Sequence, residues 1–169
     1  MPSGVINRLG LNREPGAIPD LFWTDIVADW MSENNPEVYI EIEHANFAAD
    51  SSSIDVDVMV KPLNIDPTEN YYFNMAILEN GIHEAQKTTN NEVIYDYIHN
   101  HVLRGNSHGP WGIIGFPGDV MIGADEGFHF NFRMDVSSEW VLSNCEIVIY
   151  AAKESTREVV QVEEAHLVE

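Results

Sequence analysis

The pattern of apolar positions divides the chain into a short helical segment and a long segment of strands. Between Asp20 and Glu33 the apolar side chains recur at spacings of three and four: Trp23, Ile26, Val27, Trp30 and Met31. That spacing places them on one face of an amphipathic helix. Asp20 can cap the start of the helix, and Pro36 prevents its continuation. The pattern predicts one helix over 20–33, preceded by a strand over 4–9 and a turn-rich stretch.

After Pro36 the apolar positions follow a period of two, which is typical of strands with one face in water. The alternating stretches are 38–43, 54–60 and 128–135, and a less regular alternation covers 71–79, 93–104, 145–151 and 157–162. No helical pattern separates them. The sequence therefore predicts a mainly β protein, an antiparallel Ig-like β-sandwich of about seven or eight strands, with one N-terminal amphipathic helix.

Turn residues mark the boundaries between these stretches. Asn80-Gly81 lies between two apolar runs and is the strongest candidate for a hairpin turn. The segment 105–127 contains seven of the 11 glycines and interrupts the alternation. We interpret it as a long ordered loop that carries function or as two very short strands, at 113–114 and 120–122.

Composition and charge limit the possible functions. The apolar share of 44% and the 17 aromatic side chains (4 Trp, 6 Tyr and 7 Phe) suffice for a folded core. Eight basic residues against 28 acidic ones give a formal charge of −20, which repels polyanions. We therefore expect no nucleic-acid partner and no docking on an anionic membrane. No apolar run reaches the length of a membrane span, so we predict no transmembrane segment in this chain.

The chain has a single cysteine, Cys145, so it forms no intramolecular disulfide and no Cys-x-x-Cys pair. Cys145 lies in an alternating apolar stretch, where a thiol behaves as a small core side chain. We interpret Cys145 as structural rather than reactive.

Two segments resemble a known family. The segment Tyr97–Arg104 reads Tyr-Ile-His-Asn-His-Val-Leu-Arg, and it follows an apolar stretch (74–80), the turn residues Gly81-Ile82 and Gln86. This order resembles the C-terminal region of the twenty-eight-kilodalton outer-membrane-protein family, found on envelopes of certain Gram-negative bacteria. The segment Pro2–Arg8 is similar to the one in which the preceding thioredoxin-like domain of that family passes its cis-proline.

The resemblance implies a domain organisation and a cellular location. In a thioredoxin-like fold the cis-proline precedes a strand, a further strand and a final helix, so residues 1–36 would be the C-terminal remnant of such a domain. Residues 37–169 would form the β-sandwich domain. The resemblance further implies an exported protein of the cell envelope or outer-membrane surface, with an upstream thioredoxin-like domain in the full-length protein. It carries no thiol–disulfide activity over to these residues, because any Cys-x-x-Cys would lie upstream.

Four candidate binding residues lie in the most specific part of the resemblance, and the Gly-rich loop supplies a fifth: His99, Asn100, His101, Arg104 and Trp111. Two histidines two positions apart on a strand share a face, so they could bind a transition metal with a third ligand from His108, Asp96 or His129. The structural alternative is that the histidines and Arg104 tie the Gly-rich loop to the sheet. Trp111 is either an exposed recognition residue or part of the core.

Two groups of acidic residues are candidates for Ca²⁺. Asp119, Asp125 and Glu126 lie in the Gly-rich loop, a common setting for calcium in β-sandwiches, although the EF-hand spacing is absent. Glu41, Glu43, Asp55 and Asp57 would crowd one sheet surface if their strands are neighbours. The alternative for the strand carboxylates is a solvated acidic surface, and no other cofactor is predicted.

No motif of a known catalytic site occurs, neither a nucleophile elbow, a phosphate-binding loop nor a zinc-protease helix. We predict a non-catalytic binding or interaction module of an exported, envelope-associated bacterial protein, with a protein or glycan partner left open. One alternative is an accessory domain that positions an upstream thioredoxin-like thiol–disulfide oxidoreductase. Another is a Ca²⁺-dependent adhesive domain.

The acidity itself generates a prediction. At a formal charge of −20 the folded chain repels itself, and salt screens that repulsion. We expect a higher melting temperature in molar NaCl than in dilute buffer, measured by circular dichroism. Equal melting temperatures in the two solutions would contradict this expectation.

Overall fold

A computed structural model describes residues 3–8, 17–33, 35–88, 90–117 and 127–167. The helical elements are a 3-10 turn (Asp20–Phe22), the helix α1 (Trp23–Glu33) and a second 3-10 turn (Leu142–Asn144). The strands are β1 (Ser3–Gly4), β2 (Ile18–Pro19), β3 (Val38–Phe47), β4 (Ser53–Pro62), β5 (Asn70–Glu79), β6 (Ile82–Lys87), β7 (Val93–His99), β8 (Val102–Asn106), β9 (Ile113–Pro117), β10 (Phe128–Asp135), β11 (Cys145–Lys153) and β12 (Val159–His166).

Two antiparallel sheets form the body of the protein. The smaller sheet has the strand order β10-β4-β3, and the larger has the order β12-β11-β5-β8, with β9 also paired to β5. The strand pairings of both sheets are antiparallel, and β11 pairs with β5 along nine consecutive positions. Eight strands in two sheets confirm the predicted antiparallel sandwich, whereas the Ig-like topology stays a prediction.

One apolar core lies between the two sheets. Alternate residues of each inner strand point into it, as the period of two requires. The core residues are Val38, Ile40, Ile54, Val56, Val58, Val60, Tyr71, Phe73, Met75, Ile77, Phe132, Cys145, Ile147, Ile149, Ala151, Val160 and Leu167. The rings of Phe73 and Phe130 bring the two sheets together, with centroids 4.9 Å apart. Both sheets therefore depend on the same buried layer.

The predicted helix is present, with a 3-10 first turn, and it ends at Glu33 before Pro36. Among the described residues, the side chain of Asp20 accepts from the N–H of Leu21 alone, so it does not cap the helix as expected. The Trp30 indole N–H donates to Glu158 of the sandwich at 3.1 Å. Other apolar side chains of this segment are exposed: Leu21, Trp23, Val27 and Met31. The boundary between domains at residue 36 stays a prediction.

Three local expectations were wrong. The strand predicted over 4–9 is only Ser3–Gly4, because Asn7 and Arg8 adopt positive φ in a turn. The strand predicted over 93–104 is interrupted between His99 and Val102. Asn80-Gly81 is not a hairpin turn, since β5 does not pair with β6. Of the two short strands proposed in the Gly-rich segment, 113–114 belongs to β9, and 120–122 lies outside the described residues.

The packing of Cys145 generates a test of the core. Burial raises the pKa of the Cys145 thiol to about 11, and the side chain is only 1% exposed. A buried thiol that stays protonated is a poor nucleophile. We expect Ellman's reagent at pH 8 to leave Cys145 unmodified in the native protein and to modify it in urea. Rapid modification of the native protein would place Cys145 outside the core.

Candidate functional site

The candidate site begins where two strands leave the larger sheet together. The β5–β8 ladder ends with Glu79 opposite Val102, and the β6–β7 ladder begins with Ile82 opposite His99. β6 and β7 thus continue β5 and β8 as one long hairpin. We call the paired strands β6 and β7, residues 82–99, the ribbon. At roughly 3.3 Å per residue its strands extend about 20 Å.

Two asparagine side chains bridge the gap between the two ladders. Gly81 N–H donates to Asn100 Oδ1 at 3.0 Å, and His101 N–H donates to Asn80 Oδ1 at 2.8 Å. These reciprocal bonds replace the missing backbone pairs. Gly81 and His101 have φ values of +73° and +53°, so each strand changes direction at this level. Positive φ favours glycine, which explains Gly81. We call Asn80, Gly81, Asn100 and His101 the junction.

One strand of the ribbon, β7, carries apolar side chains on both faces, although the ribbon makes no extended contact with another described element. Among the described residues, β6 and β7 make their extended contacts only with each other. Five of the first six residues of β7 are apolar or aromatic, a pattern typical of strands that are covered on both faces. All five are exposed: Val93, Ile94, Tyr95, Tyr97 and Ile98. The side chains of β7 are therefore exposed to solvent, although their apolar character is typical of buried strands.

Tyr95, Tyr97 and His99 alternate along β7 and form an aromatic stripe on one face of the ribbon. Tyr95 is 83% exposed and Tyr97 is 42% exposed. The rings of Tyr97 and His99 meet edge to face, with centroids 4.8 Å apart. On the other face His83 Nδ1 lies 2.7 Å from Asp96 Oδ1. Aromatic side chains supply large contact areas in protein interfaces.

A buried ion pair fixes the end of β5 beside the junction. Arg104 Nε donates to Glu79 Oε2 at 2.6 Å, and the Val141 N–H donates to Glu79 Oε1 at 3.0 Å. The Glu79 carboxylate is almost fully buried, so these two bonds must compensate its desolvation. Arg104 on β8 thus ties β5 to its neighbour at the end of their ladder, which we call the ribbon base.

A second buried carboxylate lies below the junction. Glu146 Oε1 accepts from Asn80 Nδ2 at 2.8 Å and lies 3.3 Å from His166 Nδ1. Glu146 Oε2 is buried without a hydrogen-bond partner among the described residues, and His101 Nε2 lies 3.6 Å from it. Protonated histidines would compensate this carboxylate at short range.

The structure brings four of the five predicted binding residues together. His99 ends the ribbon, Asn100 and His101 belong to the junction, and Arg104 holds its base. Trp111 does not join them. Its neighbour Arg157 packs on Tyr72, and Tyr72 is seven positions away from Glu79 along β5. Seven strand positions correspond to roughly 23 Å. Sequence reasoning missed Glu79, Glu146 and the whole of β6.

The metal geometry expected for His99 and His101 depended on a continuous strand, and that strand is interrupted at Asn100. In the part of the chain that the structure describes, no three His, Cys, Asp or Glu side chains are placed to hold a metal ion. Asp119, Asp125 and Glu126 lie outside the described residues, so their calcium site stays a prediction.

β3 and β4 are neighbours, as the expected acidic surface requires, but a register shift places His44 opposite Asp57 and Asn46 opposite Asp55, so no two of the four carboxylates lie directly opposite each other. Polar side chains of β10 contact three of these carboxylates. Arg133 Nη1 donates to Asp55 at 2.9 Å, Asn131 Nδ2 donates to Asp57 at 2.8 Å, and His129 Nδ1 lies 3.0 Å from Glu43. Three of the four carboxylates of this surface therefore have polar or basic partners on β10.

Comparisons with known proteins agree with this architecture. The family model for the outer membrane protein Omp28 matches residues 1–169. The chain belongs to the Omp28 family. Among curated proteins, no sequence matches it.

Two solved structures share the fold of this family member. A domain of the outer membrane lipoprotein Omp28 from Porphyromonas gingivalis has 20% identity and a TM-score of 0.52, covering 79% of this chain and 90% of that one. HBP35 of Porphyromonas gingivalis has 10% identity and a TM-score of 0.67, covering 92% of this chain. The match spans only 48% of the HBP35 chain, about half its length.

Membership of the Omp28 family confirms the predicted location at the envelope of a Gram-negative bacterium. None of the helices in the described ranges has the length and apolar character needed to cross a bilayer.

The buried pair at the ribbon base gives a stability test. Arg104→Met leaves the Glu79 carboxylate buried with one donor fewer. Losing one partner of a fully buried pair costs about 3–5 kcal/mol, and the partial exposure of Arg104 lowers our expectation to about 2–3 kcal/mol. Urea denaturation measures this loss in the free energy of unfolding.

Arg133→Met is the matched control. It removes a guanidinium from Asp55 at an exposed pair, which contributes about 1 kcal/mol or less. Equal losses in the two variants would contradict a special role of the Glu79–Arg104 pair.

Proposed function

We propose that this Omp28-family chain is a non-catalytic interaction module of the cell envelope, and that its ribbon binds a partner protein. The partner surface would be an apolar groove bordered by basic side chains. The observation that carries the proposal is the exposure of both apolar faces of β7 on a ribbon that makes no extended contact with another described element.

Contacts with a partner would add stability to the ribbon, whose only support is its junction with the β5–β8 ladder in the described part of the chain. A two-stranded hairpin is only marginally stable in water when it stands alone. The exposed apolar side chains of β7 also form one contiguous patch rather than scattered single residues, and such patches mark interaction sites. A partner that covers Tyr95 and Tyr97 would stabilise the ribbon and bury its aromatic stripe.

Charge favours a basic partner over a second copy of this chain. Two molecules with a formal charge of −20 repel each other. The ribbon itself carries Glu84, Glu92 and Asp96 against one Lys87. Basic side chains around the partner groove would contact these carboxylates and accelerate association.

The buried carboxylate of Glu79 has a structural role beside the ribbon. Glu79 is engaged by Arg104 and a backbone N–H, so its carboxylate serves the attachment of the ribbon. The two other functions considered from the sequence, an accessory domain for an upstream oxidoreductase and a Ca²⁺-dependent adhesive domain, stay predictions.

The test places a photo-reactive benzoyl-phenylalanine at position 97 of the full chain, in isolated envelopes of the native host. Position 39 is the matched control, because Tyr39 on the smaller sheet is also 42% exposed. We expect one discrete protein adduct from position 97, identified by mass spectrometry, and none from position 39. The adduct should diminish in 1 M NaCl, since salt screens the charged contacts.

Binding measurements complete the test. Tyr97→Ser should weaken binding of the labelled chain to these envelopes at least tenfold, whereas Tyr39→Ser should leave it unchanged. Protease treatment of the envelopes should abolish binding. Binding that survives the protease would identify a glycan instead, and equal adducts at positions 97 and 39 would refute a role for the ribbon.

A further inference from the structure

A second surface, distant from the ribbon, concentrates positive charge on one indole ring. The Arg8 guanidinium lies 5.5 Å from the centroid of Trp111, and the Arg157 guanidinium lies 5.0 Å from it. The chain has only eight Lys and Arg residues, against 28 Asp and Glu residues. Two of these eight cations therefore converge on a single aromatic side chain.

Neighbouring elements hold both arginines in place. Arg8 Nη2 donates to Pro110 O at 2.9 Å and to the Tyr150 hydroxyl at 3.1 Å. Arg157 follows β11 in a turn and packs on the ring of Tyr72, 5.3 Å from its centroid. Both arginines have positive φ, +65° and +63°, a conformation that costs energy in residues other than glycine. The fold thus maintains an unfavourable backbone at both positions.

The loop that carries Trp111 is also rigidly attached. Asn74 is fully buried on β5, and its Nδ2 donates to Gly109 O at 2.6 Å and to the Tyr150 hydroxyl at 2.9 Å. Gly112 approaches β5 so closely that a Cβ there would lie 2.3 Å from Phe73 O. Trp111 is therefore presented at a fixed position, although its side chain is 51% exposed.

Among the described residues, no carboxylate forms an ion pair with either guanidinium. Glu154 accepts hydrogen bonds from Asn70 at 2.6 Å and from the Tyr72 hydroxyl at 3.1 Å. These two bonds lower the pKa of Glu154, and the positive charge of Arg157 lowers it further. The arginines keep unused N–H donors beside an exposed aromatic surface. Guanidinium donors match the geometry of a carboxylate.

We propose that Arg8, Arg157 and Trp111 form a binding site for an acidic carbohydrate, a short oligosaccharide that contains uronic acid. A uronate carboxylate accepts hydrogen bonds from the two guanidiniums, and the adjoining sugar ring packs on the exposed part of Trp111. The formal charge of −20 does not prevent this, because at about 0.1 M salt the screening length is only ~10 Å. We call these three residues the arginine–tryptophan site.

The competing explanation is a purely structural clamp, in which the arginines only attach the segment 3–8 and the turn after β11 to the sheet. A clamp requires no ligand, and it predicts loss of stability without loss of binding when an arginine is replaced. The two explanations therefore differ in a measurement of binding.

The test uses the full chain and trigalacturonate as the probe, with maltotriose as the neutral sugar and sodium acetate as a carboxylate without a sugar. Binding is followed by the indole N–H signal of Trp111 in NMR spectra, assigned with Trp111→Phe. We expect trigalacturonate to shift this signal saturably, and equimolar maltotriose and acetate to leave it in place.

Variants distinguish the site from the clamp. Arg157→Gln should weaken trigalacturonate binding at least tenfold, whereas Arg133→Gln, which removes a cation from the other sheet, should not change it. Melting temperatures verify that both variants are folded, and Arg157→Lys gives a second, milder replacement. Trigalacturonate that fails to shift the signal at 10 mM, an equal shift with acetate, or undiminished binding by Arg157→Gln would each overturn the proposal.

Discussion

The inner face of β5 is the constraint on which the rest of the structure depends. Tyr71, Phe73, Met75 and Ile77 alternate on that face and are fully buried. Because β5 pairs with β11 on one side and with β8 and β9 on the other, its position fixes the order of the larger sheet. The smaller sheet then packs on the same apolar layer. The ribbon lies beyond one end of this strand, and the arginine–tryptophan site lies near the other end, beside Tyr72.

The sequence was sufficient for the sandwich because alternation is a local signal. The stretch 128–135 matches β10 residue for residue, since every second side chain there is apolar. Local signals failed where tertiary contacts decide the backbone. Asn80-Gly81 has the composition of a tight turn, yet the side chains of Asn80 and Asn100 bond across the junction and let the chain continue as a ribbon. Only knowledge of the β5–β8 pairing could have revealed this.

The candidate sites were predictable in residue type and not in arrangement. The run from His99 to Arg104 was recognised, and the structure groups those residues at the ribbon base. Trp111 was recognised as a single residue, but its two arginine neighbours come from distant parts of the sequence, positions 8 and 157. Glu79 and Glu146 resemble ordinary strand-end acids in the sequence. Their burial follows from packing around the junction, which no short-range pattern encodes.

The covalent continuity of the ribbon with the larger sheet has a mechanical consequence. A pull on the tip, along the strands and away from the body, loads β6 and β7 in tension. The peptide chain transmits that tension directly into β5 and β8. β5 lies inside the sheet, so its ladders resist in shear, with many hydrogen bonds loaded together rather than one after another. In an envelope protein built this way, force applied to the ribbon reaches the interior strand β5 as well as the edge strand β8.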